Sequence, residues 1–359
     1  MKRVHNFSAG PAALPTEVLE IARDELLDYQ GSGTSIMEKS HRGEAYTKID
    51  LQAKERLTRI LGLGNDFHIM FLQGGATAQF MQVPFNFLKK GETADYIDTG
   101  VWSQKAIKEA RLFGNVHVPF SSKEESFSRT PNNNELQLSD NPRYLHFTSN
   151  NTIYGTQFET EPDSNGAPLV CDTSSDFLSR NIDIERYGLI YAGAQKNLGP
   201  SGVTVVIIKK EFLETVSKER IPTFLDFRSH ATRIFNTPPT FAVYMVNLVL
   251  KWFEEKGGIP YFKKLNSKKA ELLYQTIDQD DFYIGAAERS SRSKMNVTFR
   301  LPSEQLEHLF LKEAEENELV ALKGHRSVGG IRASIYNACT LESVQTLVDF
   351  MGHFRNKKG

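Results

Sequence analysis

Lys196 is the only charged residue between Gly188 and Ile208, in a chain of 359 residues of which 24% are charged. It stands in AGAQKNLGPSGV, among glycines, a proline and apolar runs. An ammonium in such surroundings must be neutral, paired or chemically used, because desolvating it is costly. An amine that has lost its proton there can form a Schiff base with an aldehyde. The plainer alternative is a lysine whose stem lies on the loop and whose head reaches water.

Three further stretches could share that chemistry. APLVCDTSSDF turns polar at Asp172, where a carboxylate could hold a cationic ring nitrogen or simply cap the next helix. QGGATAQF, Gln73 to Phe80, combines a strand end, a glycine pair and a helix start. The backbone N–H groups of Ala76 and Thr77 would then face an anion such as phosphate, or the glycines merely make a tight turn. It lacks the GK[ST] of a P-loop. Trp102 in DTGVWSQKA could stack on a planar ligand or fill the core. Together, an isolated lysine, a strand-end carboxylate, a phosphate turn and a stacking aromatic are the parts needed to hold pyridoxal 5′-phosphate.

Two short glycine-flanked loops carry a second constellation. SHRGE supplies His41 and Arg42, and GHRSVGGIR supplies His325, Arg326 and Arg332. Any one of them could be a surface charge beside a turn. Five such groups exceed what one carboxylate needs, and arginine forks bind carboxylate and phosphate bidentately. A substrate with at least two anionic groups is expected.

These residues need a scaffold that brings strand ends together. DFHIMFLQ, ADYIDTG, NVHVPF, RYLHFTS, APLVCD, GLIYAG and VTVVIIKK are short apolar or β-branched runs, several followed by helical patterns. That alternation predicts an α/β fold with a mainly parallel sheet and helices on both faces. Ligands of such sheets bind outside the carboxyl ends of the strands. After about Gly257 the pattern becomes α+β, with YFKKLNSKKAELLYQTI and SEQLEHLFLKEAEEN interleaved with KMNVTFRL and GGIRASIY. A smaller second domain is expected, with its boundary near LKWFEEKGG. The polar stretch Ser121 to Pro142 reads as an exposed connection.

Composition excludes several classes. A net charge of −1 argues against a nucleic-acid partner. Two cysteines, Cys171 and Cys339, make neither a disulfide framework nor a metal-ligand spacing. The amino-terminal residues lack the apolar core of a secretory signal, and no run approaches a membrane span of roughly 20 residues. A cytoplasmic location is expected. A cysteine desulfurase or lyase on the same fold would want a mobile reactive cysteine, and Cys171 sits in an apolar run. A non-catalytic anion-binding protein is the other competitor, against which Lys196 and Asp172 both argue.

NFSAGPAALP (Asn6 to Pro15), SHRGE, QGGATAQF, TGVWS, TSNNTI, AQKNLGPSG, FNTPPT and GHRSVGGIRAS resemble the phosphoserine aminotransferase family in order and spacing, over nearly the whole chain. The resemblance implies a fold-type I aminotransferase with a large, mainly parallel seven-stranded sheet domain over residues 16–256. Residues 1–15 and 257–359 would form the smaller domain. It implies a homodimer with active sites at the subunit interface, acting on phosphoserine, glutamate and their keto acids, and on 4-phosphohydroxy-L-threonine in some members. Lys196 would be the Schiff-base lysine, Asp172 the pyridinium partner and Trp102 the stacking ring, with Thr152 on the ring hydroxyl. Ala76, Thr77, Ser174 and Gln195 would hold the cofactor phosphate, joined by Asn236 and Thr237 from the partner chain. Arg332 would take the substrate α-carboxylate. His41, Arg42, His325 and Arg326 would hold the phosphate of phosphoserine or the distal carboxylate of glutamate.

Overall fold

The strand Leu169–Asp172 (LVCD) and the strand Tyr187–Gly193 (YGLIYAG) are buried at every position. A strand with no solvated face belongs inside a sheet covered on both sides. In the computed structural model, which describes residues 3–219 and 221–359, that sheet has seven strands. Their spatial order is Phe67–Leu72, Thr204–Lys209, Tyr187–Gly193, Leu169–Asp172, Leu145–Thr148, Thr93–Tyr96 and Asn115–His117. Thr204–Lys209 runs antiparallel to both neighbours, and the remaining pairings are parallel.

Side chains alternate between two cores. Ile69, Phe71, Phe147, Cys171, Ile190 and Val205 face one cluster, which takes Ile49, Ala53 and Leu57 of the helix Glu44–Leu61 and Val243, Val246 and Leu250 of the helix Thr240–Glu255. Met70, Leu72, Tyr96, Tyr144, Val170 and Tyr191 face the other, with Phe80, Val83 and Phe87 of the helix Gly75–Phe87 and Ala106, Ile107 and Ala110 of the helix Val101–Ala110. The period-2 alternation of the strands thus meets the 3.6-residue stripe of helices on each side.

A third core gathers later residues around an antiparallel sheet of Ile284–Gly285, Asn296–Arg300 and Ile331–Ser334. The amino end joins it: His5–Asn6 pairs in parallel with Leu319–Val320, and Phe7 is buried there. The helix Gly258–Ile277 links the two regions. Its Phe262 stacks on Phe253 of the first core (centroids 4.6 Å apart), while Ala270, Leu273 and Ile277 lie in the third. On the same helix the fully buried Lys269 donates to the carbonyls of Ile335, Tyr336 and Cys339 at 2.7–2.9 Å.

Ser121 to Pro142 is the largely exposed connection expected, pinned at three points: Phe127 is buried against Tyr154 (4.9 Å), and Leu136 and Leu138 pack on the first core. Three apolar residues spaced through a polar stretch are enough to pin it, because each removes its own area from water. Among the described residues no helix is long and apolar enough to cross a membrane.

Candidate active site

All six mutually parallel strands of the large sheet end on one edge, and four of the turns leaving that edge carry the chemistry. At Gln73–Thr77 the chain reverses through Gly74 at φ +94, where an added Cβ would meet Ala78 Cβ at 2.5 Å. Ala78 N–H makes the first bond back into the turn, to Gly74 O (3.2 Å). The N–H groups of Ala76 and Thr77 therefore remain at the open positive end of the helix Gly75–Phe87.

The next turn aims Trp102. Ser103 Oγ accepts from the N–H groups of Thr99 and Gly100 (both 3.0 Å) and lies 3.0 Å from buried Asp98, which fixes the start of the helix Val101–Ala110. Trp102 is half-buried, and its indole Nε1 has no partner.

Asp172 closes its strand beside Thr148 of the neighbouring strand. It is 4% exposed, and Ser174 N–H donates to its Oδ1 (2.9 Å). Burial pushes its carboxyl above the usual range, and the Ser174 hydrogen bonds and the nearby Lys196 charge oppose that rise. A second buried carboxylate, Asp176, stands four residues on in the turn that follows. It accepts from Ser149 and from Gln157 Nε2 (3.1 Å), with Arg180 at 3.8 Å.

Lys196 follows the strand Tyr187–Gly193 through Ala194 and Gln195. Its Nζ donates to Thr152 Oγ1 (2.6 Å) and lies 5.8 Å from the Trp102 ring centroid. Desolvation lowers its pKa to about 8, with Arg332 adding to the effect and Asp172 opposing it. Gly10, at φ +148, lies against the lysine stem, where an added Cβ would stand 3.4 Å from Lys196 Cγ, and Ala12 N–H donates to Gln195 O (2.8 Å). Ser174 Oγ accepts from Gly193 N–H (3.0 Å), so the two turns are tied together.

Arg332 reaches the same place from the small sheet. One of its guanidinium N–H groups donates to Thr152 O (3.4 Å), its Nε is buried without a partner, and burial depresses its pKa. The His325 imidazole is held below its ordinary pKa by burial and by the charges of Arg332, Arg326 and Lys105. Among the described residues no carboxylate pairs with Lys105, Arg326 or Arg332. That is the electrostatics of a site awaiting an anion.

The chain does not bring every expected residue to this cluster. Arg42 is exposed, its N–H bonds Ser40 Oγ (3.2 Å), and its charge is not among those acting on His325. Asn236 and Thr237 sit beside Gln73: Asn236 Nδ2 donates to Gln73 Oε1 (2.8 Å), and Gln73 Nε2 to Thr237 O (3.3 Å). Thr152, expected on a ring hydroxyl, here bonds the lysine that would carry the ring.

Sequence reasoning missed Lys105, Asp176 and Tyr336. Lys105 follows Trp102 by three residues, a helical spacing that puts both on one face, and that signal was available. Tyr336 donates to Ala9 O (2.7 Å) and accepts from Asn296 Nδ2 (3.1 Å), and no local pattern announces either contact. Both cysteines are buried with thiols pushed above their usual pKa, which removes the reactive thiol a desulfurase needs. No group of metal-ligating side chains occurs among the described residues.

The residues fit pyridoxal phosphate. A helix end with free N–H groups, an indole beside the lysine, and a buried carboxylate at the end of its strand match its phosphate, ring and ring nitrogen. Comparison with known proteins agrees. Residues 4–347 match the aminotransferase class-V family. The phosphoserine aminotransferase of Niallia circulans is 52% identical over 361 residues, covering 100% of this chain and 99% of the relative. The solved phosphoserine aminotransferase from Bacillus circulans subsp. alkalophilus superposes with a TM-score of 0.97 at 52% identity, covering 100% of both chains. The pyridoxal-phosphate-bound phosphoserine aminotransferase of Trichomonas vaginalis gives 0.93 at 39% identity, covering 98% of this chain and 100% of that one.

Proposed function

Because the chain belongs to the aminotransferase class-V family, we propose that this cleft moves an amino group between O-phospho-L-serine and 2-oxoglutarate, giving 3-phosphohydroxypyruvate and L-glutamate. The chain is a pyridoxal-phosphate-dependent transaminase serving serine biosynthesis. The observation that carries the reading is the position of Lys196, an amine of lowered pKa bonded to Thr152, beside the Trp102 ring and under the charges of Asp172 and Arg332.

Pyridoxal phosphate, when bound, supplies an aldehyde that condenses with amines and a ring that takes up the electrons released at the substrate Cα. In our assignment Ala76, Thr77, Ser174 and Gln195 hold its phosphate, Trp102 lies on its ring and Asp172 keeps its ring nitrogen protonated. Lys196 is the base that takes the substrate Cα proton and, once protonated, the acid that returns it. Thr152 holds the lysine head while it waits and is freed when the amine is engaged. Arg332 orients the α-carboxylate, and His325 and Arg326 hold the distal anion.

We assign His41, Arg42, Asn236 and Thr237 to the neighbouring site of a homodimer; Arg42 is exposed on its own chain, and Asn236 and Thr237 lie beside Gln73 of the phosphate turn. Residues 16–256 then form the large domain, and residues 1–15 and 257–359 the small one, with residues 1 and 2 lying outside the described region. A reducing, cytoplasmic setting suits the two free thiols. The same anion contacts would accept 4-phosphohydroxy-L-threonine as a second substrate.

The deciding experiment is a half-reaction spectrum of the cofactor-loaded protein with phosphoserine, phosphohydroxythreonine, serine and alanine. Phosphoserine should bleach the visible band where serine and alanine at equal concentration do not. Equal response to serine, or a protein that takes up no cofactor, would reject the reading.

A further inference from the structure

Lys105 is one turn along the helix that begins at the Trp102 turn, and its Nζ lies 4.5 Å from the Trp102 ring centroid. Lys196 approaches the same indole at 5.8 Å. The ammonium of Lys105 therefore stands at the cleft on the large-sheet side. His325 and Arg326 stand in the loop before the small-sheet strand Ile331–Ser334, and the Lys105 charge acts on the His325 imidazole. The side chain is exposed and has no carboxylate partner among the described residues. Three fixed cations, Lys105, Arg326 and Arg332, thus act on one imidazole, and among the described residues no carboxylate pairs with any of them.

An ammonium differs from its guanidinium neighbours in what it can read. Arginine forks match the geometry of carboxylate and phosphate alike, whereas lysine acts as a compact point charge. Coulomb attraction scales with the charge of the ligand. A phosphate monoester carries close to two negative charges above its second pKa of about 6, and a carboxylate carries one. One lysine at a given distance therefore strengthens binding of the dianion by roughly the square of the factor it gives the monoanion.

We propose that Lys105 is a specificity-determining residue that counts the charge on the distal group of the substrate and favours a phosphate there over a carboxylate. This rests on the transaminase reading above. It gives the enzyme a way to bind phosphoserine well while leaving glutamate, which uses the same pocket, free to depart. Lys105 touches no reacting atom in this role and should act on KM, leaving kcat little changed.

The test compares wild type with Lys105→Met and Lys105→Arg, each loaded with cofactor, at pH 8 and fixed ionic strength. For Lys105→Met, kcat/KM for glutamate should fall about threefold and for phosphoserine about tenfold, the square relation. Inorganic phosphate should weaken as a competitive inhibitor by a similar factor. The His325 imidazole, followed by NMR, should titrate at higher pH once the neighbouring charge is gone. Lys105→Arg should keep most of the discrimination. Equal losses for the two substrates, or no loss, overturn the proposal. Wild type that fails to transaminate phosphoserine overturns instead the function on which it rests.

Discussion

Lys196 Nζ donates to Thr152 Oγ1 across 2.6 Å, and the backbone oxygen of that same threonine accepts from Arg332 at 3.4 Å. One residue thus touches both the reactive amine and the guanidinium assigned to the substrate carboxylate. The two side chains come from the large and the small sheet, so Thr152 sets their spacing.

The pH dependence of cofactor uptake follows from the state of Lys196. Its pKa is lowered from 10.5 to about 8, so the nucleophilic neutral amine accumulates as pH rises through 8 rather than through 10. The rate at which added pyridoxal phosphate links to cofactor-free protein should increase about tenfold between pH 7 and 9 and then level off. A rate still climbing steeply at pH 10 contradicts the lowered pKa. Lys196→Ala should show no linkage that borohydride can fix.

Asp172→Asn removes a buried charge without removing its shape. Turnover should drop on the order of 10²–10³-fold, the usual cost of losing one preorganised electrostatic partner, while bound cofactor measured by absorbance changes little. Parallel losses of rate and cofactor would make Asp172 a structural residue only.

Arg332→Gln keeps hydrogen-bonding capacity but deletes the charge. Both phosphoserine and glutamate should bind about 10–100-fold more weakly, since both present the same α-carboxylate. A loss confined to phosphoserine would exchange the roles assigned to Arg332 and the His325–Arg326 pair.

The shared-site assignment of Arg42 is tested by mixing two inactive proteins. If Arg42 serves the neighbouring chain, dissociating and remixing Lys196→Ala with Arg42→Ala leaves one intact site in each hybrid dimer. Roughly a quarter of wild-type activity should return. No recovery, with hybrids confirmed by mass, would place Arg42 in its own chain's site.

Lys269 bears on stability. Lys269→Met strands three carbonyls that are bonded at 2.7–2.9 Å, and should destabilise the protein by about 2–3 kcal/mol in denaturant titration at pH 7. Burial lowers the folded pKa of Lys269 to about 8, below the roughly 10.4 of an unfolded lysine. Between those values the unfolded chain binds more protons, so this group's contribution to stability rises with pH. The gap between wild type and variant should therefore widen from pH 8 to 10. A gap that narrows would mean that the folded chain holds this proton more tightly than the unfolded one, with a folded pKa raised rather than lowered.

Much of this molecule is legible along the chain. Alternating apolar runs and helical stripes foretell a helix-covered parallel sheet, because burial periods of 2 and 3.6 are local properties of the backbone. Asp172, Ala76, Thr77, Trp102 and Lys196 stand at strand ends or in the turns that follow, and connectivity alone puts parallel strand ends on one edge. What the chain could not announce is which distant side chains meet. Lys196 reaches Thr152 across 44 residues, and Arg332 reaches it across 180. Asn150 bonds both Ser175 and Asn296 inside the buried seam between the sheets. Phe127, Leu136 and Leu138 turn a polar stretch into packed structure. Such contacts depend on how helices and sheets settle against each other, and no short-range pattern encodes that. The sequence by itself determined the strand ends and their chemistry; packing alone decided their distances, and with them the lowered pKa of Lys196.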